Sequence, residues 1–405
     1  MTPRALIPLL AVPLLAGGCS CEEEPGPPAP AIVLVTVDTW RADHLDHIMT
    51  PNIHGIAEQG WRFHNAFTPI GLTSPAHASL LSGLTPPRHG MRANNHHGST
   101  LSWSVETVAE HLRKKGWRTA AFVSAYPAGP EGGLDQGFQV FDGPDEAERP
   151  GDVAVGKAVG WLGTINKKEP LFLWVHLFEP HGPYTPPPED AKAMGASPSE
   201  RDRYAAEVHA ADRMMAPLLE AALKRDATIA ITADHGEVLD EEICSWQHER
   251  SIHETVLRVP LIIAGRGVSE PAVRDEWVGL VDVVPTLLAL TGQEPMLEID
   301  GEALMELGVG RSDWLAESGM CEDDCAPGCE PIGLGGRDRV LLADGWRVVD
   351  RPGVGTWAEG QGAPFPAEWR GHFAPLPRFA PPQPEPDADA DPDAEEAAKA
   401  LGYQD

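Results

Sequence analysis

The sequence predicts an α/β fold, with a mostly parallel central sheet flanked by helices and a small antiparallel β subdomain at the C-terminal end. Three observations predict it. Continuous apolar, β-branched runs recur along the chain, as expected of strands buried on both faces of a parallel sheet. Helical patterns lie between them, and that alternation places helices on both sides of the sheet. Beyond Gly301 the pattern weakens into short strand-like segments around an Asp-Gly turn.

Taken in order, residues 1–18 carry Arg4 ahead of an apolar run that is too short to span a bilayer and suits a secretory signal peptide. Leu15-Ala16-Gly17-Gly18-Cys19 resembles a bacterial lipobox, which makes Cys19 the lipid-bearing residue. Residues 19–30 are acidic and proline-rich, a flexible tether from a membrane anchor. The expected address is an exported cell-envelope lipoprotein, periplasmic or outer-membrane-anchored, and Ser20 leans toward the outer membrane.

The catalytic body is assigned to residues 31–300. AIVLVTVD (31–38) is its first strand and ends in an acid; TAAFVSA (119–125), LFLWVHLF (171–178), TIAITAD (228–234) and VPLIIAG (259–265) repeat the pattern. In GLTSPAHASLLSG (71–83), Ser74 as cap and Pro75 in the first turn open a short helix that runs to Gly83, placing Thr73 beside the helix N-terminus. In SVETVAEHLRKKG, Ser104 is the expected cap, with Val105, Val108, Ala109 and Leu112 on one face. Residues 301–380 form the smaller unit, with a ribbon turning at Asp344-Gly345. Residues 381–394 have the composition of a disordered linker, and 395–405 are a short helix-capable tail.

Composition narrows the function. The 405 residues exceed the usual size of one core, and 42% hydrophobic content supports a globular body. A formal net charge of -30 argues against a nucleic-acid partner but admits a small anionic ester, because a bound cation reverses the local sign. Cys244, Cys321, Cys325 and Cys329 are expected to form disulfides in an exported protein.

Metal-capable side chains gather where strands end: Asp38, the pair Asp234-His235, and His176 with His181 around the end of LFLWVHLF. Ligand sites in such sheets lie at the carboxyl edge. Asp38, Asp234 and His235, with an oxygen from Thr73, suit a divalent ion; calcium, magnesium, manganese and zinc all remain open. A free threonine hydroxyl is a poor nucleophile. Coordination favours its alkoxide, and the helix N-terminus favours the anion under attack.

From Ile32 to Tyr403 the sequence resembles the sulfatase family of the alkaline phosphatase superfamily. VTVDTWRADHL, TSPAHASLLSG, HGMRANN, GLDQGF, WVHLFEPHGPY, ITADHGE, QHERSIHETVLRVPLII, LVDVVPTLLALTG, IDGEAL and KALGY follow in the family's order. The resemblance implies the alkaline-phosphatase-like sandwich and makes Asp38, Asp234, His235 and Thr73 metal ligands, with Thr73 as nucleophile. It implies that Asn94 holds an ester oxygen, that His181 and His248 contact substrate or protonate the leaving group, and that His176 and His77 lie on the substrate side. Glu179, His181 and His248 are also candidates for a second metal.

The departures bear on the chemistry. The family's Cys-x-Pro-x-Arg pattern reads Thr73-Ser74-Pro75-Ala76-His77 here, so no formylglycine is expected; the second acid of the usual pair is Thr39, and Arg250 stands near the place of a lysine. A threonine adduct has no second hydroxyl for elimination and is opened by water. Phosphate and phosphonate esters therefore fit better than sulfate esters, though all three belong to the reading. The expected substrate is a small or a glycan- or lipid-linked anionic ester. Alternatives are a transferase moving a phosphoryl head group within the envelope, and a non-catalytic binding protein.

Overall fold

The computed structural model describes residues 28–145, 147–239, 248–319, 337–343, 346–351 and 355–360. Signal, lipobox and Cys19, most of the tether, the Asp344-Gly345 turn, the linker, the tail, and Cys244, Cys321, Cys325 and Cys329 lie outside them. Among the described residues no helix is long and apolar enough to cross a membrane.

The strands are β1 (Ala31–Val37), β2 (Gly60–Phe67), β3 (Arg118–Val123), β4 (Val140–Asp142), β5 (Leu171–Leu177), β6 (Thr228–Ala233), β7 (Arg258–Gly265), β8 (Ala272–Gly279), β9 (Asp313–Glu317), β10 (Arg339–Ala343), β11 (Trp346–Arg351) and β12 (Gly355–Gly360). Eight form one sheet in the order β4-β3-β5-β1-β6-β7-β2-β8. From β4 to β6 every neighbour is parallel, whereas β7 is antiparallel to both β6 and β2. The mostly parallel sheet is therefore present, with a correction at β7. An uninterrupted apolar run reports burial on both faces, and burial does not distinguish strand direction. β1, β5 and β6 are buried throughout, between helices that include Gly151–Thr164, Glu200–Lys224 and Val283–Leu290.

Two helix starts differ from expectation. The helix Thr73–Ser82 is entered from Leu72, and Ser74 does not cap it: its hydroxyl donates 2.6 Å to the Pro127 carbonyl. At its end Gly83 has φ 69°, a left-handed closure that suits glycine. The helix expected from Ser104 runs instead from Val108 to Lys114. Thr107 accepts from the Glu110 N–H while Glu110 reaches back to the Thr107 N–H, a reciprocal cap that a lone serine cannot match.

The smaller unit is a four-stranded antiparallel sheet, β12-β11-β10-β9. Trp314, Ala316, Val340, Leu342 and Val349 pack with Phe67, Leu257 and Val281 of the larger unit. β9 also holds the segment leading to Thr73. The Glu317 N–H donates to Pro69 O, the Trp314 indole donates to Thr68 O, and Glu317 pairs with Arg92 of the HGMRANN turn.

Candidate active site

β1 and β6 are parallel neighbours, with Val37 opposite Ala233. One residue beyond that register, Asp38 and Asp234 leave the same sheet edge side by side, and His235 follows. Their donor atoms lie within 4.8 Å of one another, and all three residues are completely buried. His235 Nδ1–H donates to the Gly236 carbonyl at 3.0 Å, so Nε2 is the ring atom left to face the carboxylates, 3.5 Å from Asp234 Oδ2 and 3.8 Å from Asp38 Oδ1. Gly236 is required where the chain turns: a Cβ there would lie 2.0 Å from the Thr255 carbonyl oxygen.

This donor set fits a divalent cation. Both Asp38 oxygens and Asp234 Oδ2 are buried without a hydrogen-bond partner, while Asp234 Oδ1 accepts from the N–H groups of Thr39 and His235. Burial and the adjacent Asp234 push Asp38 well above the usual carboxylate range. Burial also acts to raise Asp234, but His235 outweighs it and holds that carboxyl low. Burial acts to lower His235, which the two carboxylates nevertheless raise. Buried oxygens at this cost call for a positive species among them.

Thr73, at the start of its helix, brings Oγ1 to 3.4 Å from His235 Nε2. Asn94 stands next to it. Its Oδ1 accepts from the Ser74 N–H at 2.9 Å, which fixes the amide orientation and leaves buried Nδ2 as a donor without a protein partner. Four residues along the helix, His77 Nδ1–H donates to the Thr73 carbonyl. Burial, reinforced by His176, lowers His77 to about 3, and burial lowers His176 to about 4. Both rings meet the hydroxyl of Thr36.

His248 stacks on His235 with ring centroids 4.3 Å apart, and His181 meets His248 edge-on at 5.3 Å. Burial lowers both, His181 to about 4 with His248 contributing, and His248 well below the ordinary imidazole value with His235 contributing. Through His235 the two rings are grouped beside the three donors. Glu179 does not join them as a second metal site. Its carboxylate accepts from the Gly151 N–H at the start of the helix Gly151–Thr164, and among the described residues Asp38, Asp234 and His235 make the one cluster able to hold a metal.

Glu237 was not singled out in the sequence, although it lies within ITADHGE. Completely buried, it accepts from the Val238 N–H, faces His248 Nδ1 at 3.3 Å and hydrogen-bonds Tyr184. Burial raises its carboxyl to about 7. The available signal was its spacing, three residues after a metal-capable aspartate on a strand exit.

The family model described as Sulfatase matches residues 30–293. Among curated proteins the chain is 24% identical to a choline-sulfatase of Rhizobium meliloti, over 74% of this chain and 75% of that one. It is 22% identical to an arylsulfatase of Clostridium perfringens, over 69% and 78%. Among solved structures it resembles a phosphonate monoester hydrolase of Agrobacterium radiobacter with a TM-score of 0.68 and 18% identity, covering 92% of this chain and 94% of the other.

Proposed function

The chain belongs to the sulfatase family of ester hydrolases, and from that premise we propose that it cleaves phosphate, phosphonate or sulfate esters with Thr73 as nucleophile at a divalent-metal site. The observation that carries the proposal is Thr73 Oγ1 lying 3.4 Å from Nε2 of His235, a member of the buried Asp38, Asp234 and His235 cluster. Those three residues, with Thr73, would hold the ion; calcium, magnesium, manganese and zinc each suit oxygen donors with one imidazole. When bound, it supplies Lewis acidity, easing loss of the hydroxyl proton and polarising the ester oxygen.

The chain's own groups do the rest. Thr73 Oγ1 attacks phosphorus or sulfur, its new bond forming as the bond to the leaving alcohol breaks. Asn94 Nδ2 donates to a non-bridging oxygen, and the start of the helix Thr73–Ser82 favours the anion. His181 or His248, neutral at rest, takes up a proton as Thr73 loses its own and delivers it to the departing oxygen. Water then cleaves the threonine ester at phosphorus or sulfur, regenerating the hydroxyl. Since Thr73 has no geminal hydroxyl through which to expel sulfate by elimination, the phosphoryl substrates are favoured. The named activities of a phosphonate monoester hydrolase and two sulfatases among similar proteins support the substrate class. An exported, lipid-anchored address through Cys19 remains part of the same reading, with a glycan- or lipid-linked ester as natural substrate.

The test is turnover of aryl phosphate, phosphonate and sulfate esters sharing one leaving group, by the purified protein with each divalent ion and by Thr73→Ala. Turnover by the parent that disappears in Thr73→Ala with metal retained supports the proposal. Equal rates in the variant would sink the nucleophile, and no turnover of any ester would favour a binding protein.

A further inference from the structure

The hydrogen bonds behind the metal cluster determine where protons sit. His77 Nδ1 is 2.8 Å from the Thr73 carbonyl, which can only accept, so Nδ1 carries a proton. His77 Nε2 is 3.0 Å from Thr36 Oγ1. Asp234 Oδ2 lies 3.8 Å from Nδ1, an ion-pair distance but not a hydrogen bond. The Trp174 indole fills one lone pair of the Thr36 hydroxyl, so only one of the two rings can donate to it, and with the His77 ring neutral its Nε2 accepts the Thr36 proton. Thr36 Oγ1 has then given its only hydrogen. It accepts from the Trp174 indole N–H at 3.0 Å, and its remaining contact, His176 Nδ1 at 2.9 Å, must also donate. The Thr36 backbone, as an acceptor that favours a proton on the His176 ring, agrees.

His176 Nε2 is therefore left as an acceptor. It is completely buried, has no hydrogen-bond partner and lies 3.5 Å from Asp38 Oδ2, which also has none. Two acceptors facing each other repel unless a cation or, without one, a proton held by Asp38 lies within reach of both. The strands explain the arrangement: Thr36 on β1 is in register with His176 on β5, and Trp174, two residues earlier, points to the same face.

Building on the metal reading above, we infer that Thr36 is a positioning residue, which holds His176 with Nε2 unprotonated toward Asp38 and so makes the pocket complementary to a cation. Through His77 the same hydroxyl also ties the carbonyl of Thr73 to the first strand. Nothing in the resemblance by motif assigns Thr36 a role. Its signal in the sequence is a lone hydroxyl in an apolar strand, two residues before the metal-capable acid.

The experiment compares the parent, Thr36→Val and Thr36→Ser by calorimetric titration with manganese, zinc and calcium separately. Long-range proton–nitrogen spectra of histidine-labelled protein, metal-free and zinc-loaded, report the ring tautomers. Loss of an outer hydrogen bond that orients a metal centre typically weakens metal binding about 10- to 100-fold, so that loss is expected in Thr36→Val, with recovery in Thr36→Ser. In the zinc-loaded parent, His176 and His77 should each carry the proton on Nδ1. Undiminished metal affinity in Thr36→Val, or a proton on His176 Nε2 in the loaded parent, overturns the inference. If the parent binds none of the three ions, the metal reading itself fails. The metal-free tautomers then decide the Thr36 network alone: Nδ1–H on His77 supports it, and Nε2–H overturns it. The spectra of the parent require no variant to fold.

Discussion

Replacing Asp38 with asparagine should stabilise the metal-free protein and destabilise the metal-loaded one. The Asp38 and Asp234 donor atoms lie within 4.8 Å of each other in a completely buried site. At an effective dielectric of about 20, two full charges at that separation repel by about 3.5 kcal/mol. His235, made more basic by both carboxylates despite its burial, offsets part of this, so a gain of about 1 to 2 kcal/mol is expected for Asp38→Asn in chelator at pH 8. Asp38 holds its proton more tightly folded than unfolded, because burial and Asp234 raise it. The stability it contributes is complete below the unfolded carboxylate pKa and is lost as pH rises through the raised value, so the variant's advantage should shrink on acidification. Saturating divalent ion reverses the order: an ion at a hundred times its dissociation constant stabilises the parent by about 2.7 kcal/mol, and a variant lacking one donor by less. Urea unfolding at several pH values, in chelator and in excess ion, measures each term. A variant less stable than the parent in chelator at pH 8, or equal stabilisation of both proteins by the ion, would refute this account.

Three further outcomes test other parts of the structure. Gly236→Ala should abolish ester turnover and weaken metal binding, since its Cβ would overlap the Thr255 carbonyl oxygen and force the His235–Glu237 turn to move; normal metal affinity would contradict it. Thr107→Ala removes one half of a reciprocal helix cap and should cost about 1 kcal/mol in urea unfolding without altering metal affinity. Glu207 is buried, and burial with Glu179 raises its carboxyl to about 7, so its stabilising contribution is present at acid pH and lost as pH rises through neutrality. Glu207→Gln should therefore gain about 2 to 3 kcal/mol on the parent between pH 5 and pH 8, and a difference independent of pH would exclude this origin.

What was legible in the sequence follows from how each signal arises. The central strands announce themselves because burial on both faces needs an unbroken apolar run, as in AIVLVTV and LFLWVHL. β2 and β8 were not read, because GWRFHNAF and AVRDEWVG mix charged and apolar residues. Each has partly exposed positions, and Arg274 is buried between Trp61 and Phe63 rather than solvated. The metal cluster could be anticipated from parallel strands that end in acids, since parallel register brings successive strand ends to one edge.

The proton order around Thr36 could not be anticipated in this way. It depends on three side chains from β1, β5 and the helix Thr73–Ser82 meeting one hydroxyl, and no local period encodes that convergence. The second metal site failed for the same reason. Glu179 stands two residues from His181 in the chain, but the amide it finds belongs to Gly151, so sequence proximity supplied candidates and the packing of the helix Gly151–Thr164 chose between them. Residues whose role is set by strand position were thus readable one at a time, whereas those whose role is set by a shared partner became readable only when the partner was in place.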